Sequence, residues 1–107
     1  MSFDYIASPY TSDNPLVREE RYIYTGFYVA QCLIKREFVF SPIVHCHQLA
    51  KTYNMPTEFD FWREYNFSML AAAGRPRVLR LDQWNVSRGV ETEIAFATER
   101  SIPVVYI

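Results

Sequence analysis

Residues 87–97, Ser87-Arg88-Gly89-Val90-Glu91-Thr92-Glu93-Ile94-Ala95-Phe96-Ala97, predict the start of a helix that follows a strand. Val90, Ile94 and Ala97 are spaced as i, i+4 and i+7, so they form one apolar stripe that faces a sheet. Glu93 lies one position off this stripe, which predicts that its side chain points along the sheet edge. In open α/β sheets, ligands bind at the edge beyond the carboxyl ends of the strands. The alternative is a first-turn glutamate that only interacts favourably with the helix dipole.

Four short apolar runs alternate with helical patterns and predict strands at residues 5–7, 38–40, 77–82 and 103–107. Strands joined by helical crossovers of this length are parallel, and right-handed crossovers leave few topologies. We therefore predict one α/β domain over residues 1–107, a small flavodoxin-like or Rossmann-like three-layer fold. Its four-stranded parallel sheet is expected in the order 2-1-3-4, with the switch point between the first and third strands.

The helical patterns have recognisable boundaries. Asn14 or Asp13 is a suitable N-cap for a long helix with Pro15 in its first turn, which is expected to run to about residue 36. A short helix through residues 47–50 and another at 58–73 come before the third strand. The apolar arc of the long helix is wide, which predicts burial on more than one side. This arc has one face with Ile23, Phe27, Ala30 and Ile34 and a neighbouring face with Tyr22, Val29 and Leu33.

The composition indicates a small domain with an excess of aromatic residues. Half of the 107 residues are apolar and 17% are aromatic, which is more aromatic volume than so small a core readily holds. Some aromatic side chains are therefore expected in a pocket or a subunit interface, and we predict a homodimer or a higher homo-oligomer. The formal net charge of −1 provides no general field for a nucleic-acid polymer or an anionic membrane, so neither is an expected partner.

The sequence carries no sign of export or of a cofactor. Its opening lacks the basic and apolar regions of a signal peptide, and no run approaches the length of a membrane span. Cys32 and Cys46 lack CxxC spacing, which is typical of buried free thiols in a cytoplasmic protein. In His45-Cys46-His47, adjacent residues cannot readily close a tetrahedral site, so no metal is expected.

Four motifs follow one another along nearly the whole chain. They are Tyr5-Ile6-Ala7-Ser8-Pro9-Tyr10, Val39-Phe40-Ser41-Pro42 with His45 and His47, Ser87-Arg88-Gly89-Val90-Glu91-Thr92-Glu93-Ile94, and Pro103-Val104-Val105-Tyr106. Each motif is weak alone. Their order and spacing together resemble the nucleoside 2-deoxyribosyltransferase superfamily, and most closely a small branch of it from bacterial and phage genomes.

The resemblance implies a glutamate nucleophile that attacks the anomeric carbon of a nucleoside or nucleotide, expels the base and leaves a glycosyl-enzyme. Glu93 matches that glutamate, and Tyr5 matches a first-strand tyrosine that hydrogen-bonds it. As in glycoside hydrolysis, the carboxylate stabilises an oxocarbenium-like transition state and then bonds to it. A hydrogen bond from tyrosine favours the ionised carboxylate and fixes its direction.

The chain departs from the superfamily pattern in the helix before the third strand. That helix usually carries an aspartate four residues after an aromatic residue, where it helps to hold the sugar and handle protons. Here Asn66 follows Trp62 at this spacing. An amide hydrogen-bonds a sugar hydroxyl but does not act as a general acid or base at neutral pH. A weak, rerouted or absent activity is therefore left open.

The predicted substrate-binding residues flank the switch point. Ser87 is either a plain N-cap or, as the resemblance to nucleotide-hydrolysing relatives implies, a contact to a 5′-phosphate. Gly89 is expected to let the backbone approach a ligand, and His45 to be a pocket or helix-capping residue. The predicted binding set is Ser8, Pro9, Tyr10, His45, Ser87 and Gly89. We expect Tyr5, Ser8, Tyr10, Ser87, Gly89 and Glu93 to line one pocket, with His45 and Asn66 at or near its rim.

Three functions from different classes are compatible with these residues. The first, which we favour, is an enzyme that cleaves or transfers the N-glycosidic bond of a nucleoside or its monophosphate. The second is a module that binds a nucleotide without turnover, which Asn66 favours. The third is a scaffold whose aromatic residues only form interfaces.

Overall fold

A parallel four-stranded sheet organises the chain, as a computed structural model describing residues 2–107 shows. The strands pair in the order β2-β1-β3-β4, and every pair is parallel. The predicted α/β class, the strand order and the Rossmann-like layered fold are thus confirmed. In chain order the elements are β1 (Asp4–Ala7), α1 (Pro15–Ile34), β2 (Val39–Phe40), α2 (Pro42–Tyr53), α3 (Phe59–Ala72), β3 (Arg75–Val78), a 3-10 turn (Trp84–Val86), α4 (Arg88–Glu99) and β4 (Val105–Tyr106).

The centre of the core is β1, which has a strand on each side. Tyr5, Ile6 and Ala7 are completely buried, because a central parallel strand is covered on both faces. The third strand begins two residues earlier and ends four residues earlier than predicted. Its register pairs Asp4 with Arg75 and Ala7 with Val78, so β3 ends where its four-residue partner ends. The outer strands β2 and β4 are also shorter than the apolar runs that predicted them.

The long helix α1 begins as predicted and ends two residues early. Asn14 Oδ1 accepts a hydrogen bond from Leu16 N at 2.9 Å, and Pro15 occupies the first position. Arg36 follows the helix with φ 63°, a left-handed conformation that cannot continue it. The α1 face that packs on the rest of the chain comprises Thr25, Val29 and Cys32.

The neighbouring face of α1 is the second side for which the sequence predicted burial. Ile23, Phe27, Ala30 and Ile34, here called the α1 stripe, are all exposed, with Phe27 at 66% and Ile34 at 81%. Leu33 on the other predicted face is also exposed. The sheet and α2 cover only one side of the helix, so nothing within the described part of this chain covers the stripe.

The remaining helices begin at side-chain caps or close to their predicted starts. Ser41 Oγ accepts from Val44 N at 3.2 Å and Ser87 Oγ accepts from Val90 N at 3.3 Å, which fixes the first turns of α2 and α4. The helix α2 is longer than the short helix predicted, and Asn54, with φ 52°, terminates it. The helix α3 has the predicted bounds to within one residue. Across residues 2–107, no helix has the length and apolar character needed to cross a membrane.

A charged cluster around Arg77 joins the sheet to α1 near the amino ends of β1 and β2. The Arg77 guanidinium donates to Asp4 at 2.7 Å, to Glu37 at 2.8 Å and to the Tyr28 hydroxyl at 3.0 Å. These hydrogen bonds raise the pKa of Arg77 against the opposing effect of burial. Multiple charge-assisted hydrogen bonds make a half-buried arginine a stabilising link between layers.

Candidate active site

A cavity of about 430 Å³ opens at the carboxyl ends of the central strands, where the switch point of the sheet predicted it. Its size is that of a small-molecule site. Ser8 and Tyr10 follow β1, Ile43 follows β2, and the segment from Gln83 to Gly89 leads from β3 into α4. Phe59, Trp62 and Asn66 of α3 complete the wall. Of the residues predicted to line one pocket, Ser8, Tyr10, Ser87, Gly89 and Glu93 do so, whereas Tyr5 is fully buried and does not.

Glu93 of α4 is a cavity-lining carboxyl that is only 4% exposed. The Tyr5 hydroxyl on β1 donates a hydrogen bond to Glu93 Oε2, and Asn66 Nδ2 lies 3.5 Å from the same oxygen. Among residues 2–107, nothing donates a hydrogen bond to Glu93 Oε1. This oxygen is not among the buried polar atoms that lack a partner, so it is accessible to solvent. One carboxylate oxygen is thus held, and the other is left for a ligand.

The environment of Glu93 changes its protonation. Burial raises the pKa of Glu93 from its ordinary 4.5 to about 8, although the hydrogen bonds from Tyr5 and Asn66 lower it. The pKa of Tyr5 is raised well above 10 by burial first and by the adjacent Glu93 charge second. Tyr5 therefore remains a proton-bearing donor over the whole range in which Glu93 titrates. Strongly shifted groups in a cavity are typical of functional sites.

Asn66 presents an unused acceptor. Asn66 is 8% exposed, and its buried Oδ1 has no hydrogen-bond partner. A buried carbonyl oxygen without a donor costs about 1–3 kcal/mol.

Ser87 and Gly89 both line the cavity at the start of α4. Ser87 is the N-cap, so the simpler of its two predicted roles is observed. Gly89 also lies close to α3. A Cβ on this residue would lie 3.1 Å from Cδ1 of Phe59, so Gly89 lets α4 pack closely against α3.

Two of the predicted binding residues lie away from the cavity. His45 is exposed, its ring stacks against Tyr65 with centroids 6.1 Å apart, and it is not among the residues that line the cavity. Pro9 is fully buried and does not line the cavity. Ser8 does line it, and its hydroxyl lies 3.4 Å from that of Thr25.

His47 occupies the place predicted for His45. It is 3% exposed and lines the cavity, with Nδ1 2.6 Å from the Tyr10 hydroxyl and Nε2 3.2 Å from Glu19 Oε1. Residues two apart on a helix point in different directions, so only one of the two histidines faces inward. Ile43, His47 and Ala50 share the i, i+4, i+7 spacing of the buried face of α2, a signal that identifies the inward histidine.

The cavity offers donors and charges but no cluster of metal ligands. Within the described chain, no group of three or more His, Cys, Asp or Glu side chains could hold a metal ion. Arg21 and Arg88 lie at the cavity, where Arg21 donates to Thr11 O at 3.0 Å and Arg88 pairs with Asp60 at 2.9 Å.

The fold and this cavity define a Rossmann-like α/β protein with a buried carboxyl group facing a small-molecule site. The chain belongs to a family described as a domain of unknown function (DUF1937), whose model matches residues 3–107. No curated protein matches the chain significantly. Neither finding tests the resemblance to nucleoside 2-deoxyribosyltransferases, which stays a hypothesis.

Proposed function

We propose that this protein cleaves the N-glycosidic bond of a nucleoside or nucleoside 5′-monophosphate, by transfer or hydrolysis, with Glu93 as the nucleophile. The observation that carries the proposal is the buried Glu93 carboxyl at the cavity, held through Oε2 by Tyr5 and Asn66 while Oε1 remains available. Fixing one oxygen aims the other, as nucleophilic displacement at a sugar carbon requires.

The chemistry follows from this geometry. Glu93 Oε1 attacks the anomeric carbon as the bond to the base breaks, and the positive charge that develops on the sugar is stabilised by the adjacent carboxylate. The raised pKa of Glu93, about 8, means that the ionised form is a minority at neutral pH in the empty site. A cationic transition state favours the ionised carboxylate, so the interaction strengthens as the reaction proceeds.

The walls of the cavity suit the three parts of a nucleotide. Phe59, Trp62 and Ile43 provide an apolar surface for a planar base. The Asn66 side chain, which lines the cavity beside Glu93, suits a sugar hydroxyl. The N-terminus of α4 with Arg88, and Arg21 across the cavity, offer positive charge for a 5′-phosphate.

The second candidate is a module that binds a nucleotide without turnover. Asn66 favours it, because an amide beside Glu93 cannot transfer protons as a carboxyl group does. A carboxyl group that is mostly protonated at neutral pH also favours binding over attack.

The test is incubation with a panel of ribo- and deoxyribonucleosides and their 5′-monophosphates, followed by chromatography for released base. We expect release by the wild type and nearly complete loss in Glu93→Gln, with ligand binding largely retained in calorimetry. Base release that is equal in the two proteins would rule out Glu93 as the nucleophile. Binding without release in the wild type would favour the second candidate.

A further inference from the structure

A second polar group lies on the α2 side of the same cavity, apart from Glu93. Three side chains from three segments form a continuous hydrogen-bonded chain, here called the Tyr10 relay: Tyr10 Oη, 2.6 Å from His47 Nδ1, and His47 Nε2, 3.2 Å from Glu19 Oε1. Tyr10 and His47 line the cavity, whereas Glu19 lies on α1 outside it. The site chemistry described above uses none of the three.

The partners of His47 fix the direction of the relay. Nε2 faces a carboxylate, so it carries a proton and donates it to Glu19. In the neutral imidazole, Nδ1 then accepts from the Tyr10 hydroxyl. When the ring is protonated, Nδ1–H donates to the Tyr10 oxygen instead, and the Tyr10 proton is free to point into the cavity. Glu19 Oε1 holds the ring in this orientation through Nε2.

The surroundings hold the ring in this position. His47 is 3% exposed, and the Tyr22 ring stacks on it with centroids 4.3 Å apart. Lys51 Nζ lies 2.9 Å from the Glu19 oxygen that faces His47, which keeps that carboxylate in place. The groups packed around the relay are therefore a tyrosine, a lysine, and Arg18 near Tyr10. An aligned tyrosine, imidazole and carboxylate can move a proton by one hydrogen-bond length at each step.

The Tyr10 relay can supply a proton to the departing base, which Asn66 cannot do. A departing base takes the electron pair of the glycosidic bond and must gain a proton or carry a charge. Asn66, beside Glu93, has no acidic proton at neutral pH. Tyr10 does have a hydroxyl proton, and burial raises its pKa above the ordinary 10, so it stays protonated until a stronger base lies against it.

We propose that Tyr10 is the catalytic acid that protonates the departing base, with His47 and Glu19 as positioning residues that resupply its proton. This inference rests on the proposed function. As the bond from the anomeric carbon to the base nitrogen breaks, its electron pair goes to the base, which takes the Tyr10 proton. The Tyr10 oxygen takes the Nδ1 proton of the His47 imidazolium, leaving a neutral ring, while Glu93 Oε1 bonds to the anomeric carbon.

The experiment compares guanosine and 2′-deoxyguanosine 5′-monophosphates with their N7-methylated counterparts. An N7-methylated guanine leaves without needing a proton, so it bypasses an acid catalyst. Tyr10→Phe keeps the ring against His47 and removes only the hydroxyl. We expect it to lower kcat on the unmethylated nucleotide by about 100- to 10,000-fold, and on the methylated one by less than about threefold. Glu19→Gln is expected to give the same selectivity with a smaller loss, about tenfold.

The control is Tyr24→Phe, which removes an exposed hydroxyl from the helix that carries Glu19. It is expected to cleave both nucleotides as the wild type does, and circular dichroism checks that each variant is folded. Equal losses on both nucleotides in Tyr10→Phe would overturn the relay and leave Glu93 as the nucleophile. The same holds for a wild type that cleaves only the methylated nucleotides. A wild type that releases base neither from these four nor from any nucleoside or nucleotide of the panel above overturns the proposed function, and the relay with it.

Discussion

Replacing Glu93 with glutamine is expected to change how the stability of the protein depends on pH. Burial raises the pKa of this carboxyl from 4.5 to about 8 in the folded chain. The folded state therefore holds a proton that the unfolded state releases between these pH values. The contribution of Glu93 to stability is fully present below pH 4.5 and is lost as the pH rises through about 8.

The size of the effect follows from the two pKa values. Each pKa unit of difference between the folded and unfolded states corresponds to about 1.4 kcal/mol. Moving the pKa of one carboxyl from 4.5 to about 8 therefore removes on the order of 5 kcal/mol from the free energy of unfolding across that range. The glutamine side chain of the variant does not titrate, so the variant avoids this loss. Relative to the wild type, the variant is therefore expected to gain several kcal/mol of stability as the pH rises from 5 to 9.

Urea denaturation at 25 °C, followed by tryptophan fluorescence from pH 5 to 9, measures this difference. The other buried groups with raised pKa values, Cys46 at about 11 and Tyr5 well above 10, titrate outside this window. The matched control is Glu91→Gln, which removes an exposed carboxyl group from the same helix, and any pH dependence that it shows is subtracted. A difference in unfolding free energy between Glu93→Gln and the wild type that stays constant from pH 5 to 9 would refute this reasoning. The Glu93 carboxyl would then not have a raised pKa in the folded state.

The remaining predictions concern activity, binding and assembly. With Glu93 as the nucleophile, kcat/KM for base release rises with pH toward about 8, and Tyr5→Phe moves this limb to higher pH because the lost hydrogen bond lowered the Glu93 pKa. A pH–rate profile that Tyr5→Phe leaves in place would contradict it. Asn66→Ala removes a polar side chain that lines the cavity and is expected to weaken nucleotide binding in calorimetry by about tenfold; an unchanged Kd would show that the ligand does not use the Asn66 amide. We propose that a second copy of the chain covers the α1 stripe. Light scattering should then give at least twice 12.6 kDa for the wild type and a smaller mass for Phe27→Asp. A monomeric wild type at micromolar concentration would show that the assembly prediction is wrong.

The fold could be predicted from the sequence because strands and helices alternate along the chain and the crossovers between parallel strands are right-handed. These two constraints leave few possible topologies. Strand lengths were less predictable, since they depend on the partner strand. Residues 79–82 continue the apolar pattern of β3, yet the strand ends at Val78 because β1 offers only four residues to pair with. The exposed α1 stripe shows a similar limit. An apolar pattern indicates that a face avoids water, but it does not tell whether this chain or another one covers that face.

The candidate site was predictable where a motif and a strand end coincide. The position of the first strand was enough to predict Tyr5, Ser8 and Tyr10. Glu93 and Asn66 were predicted from helical spacing together with the family resemblance. His45 was predicted as the pocket residue instead of His47, because the motif alone does not show which of the two lies on the buried face of the helix. Glu19 carried no signal, since its contact with His47 exists only because α1 packs against α2.

The Arg77 cluster has a consequence for how this chain can change over time. Its partners Asp4, Glu37 and Tyr28 lie beside the amino ends of β1 and β2, and none of them lines the cavity. The residues that link the sheet to α1 and the residues that line the cavity therefore occupy separate positions in the sequence. Substitutions that alter ligand preference leave those ties intact, so the same scaffold can acquire new specificities by point mutation without first losing its fold.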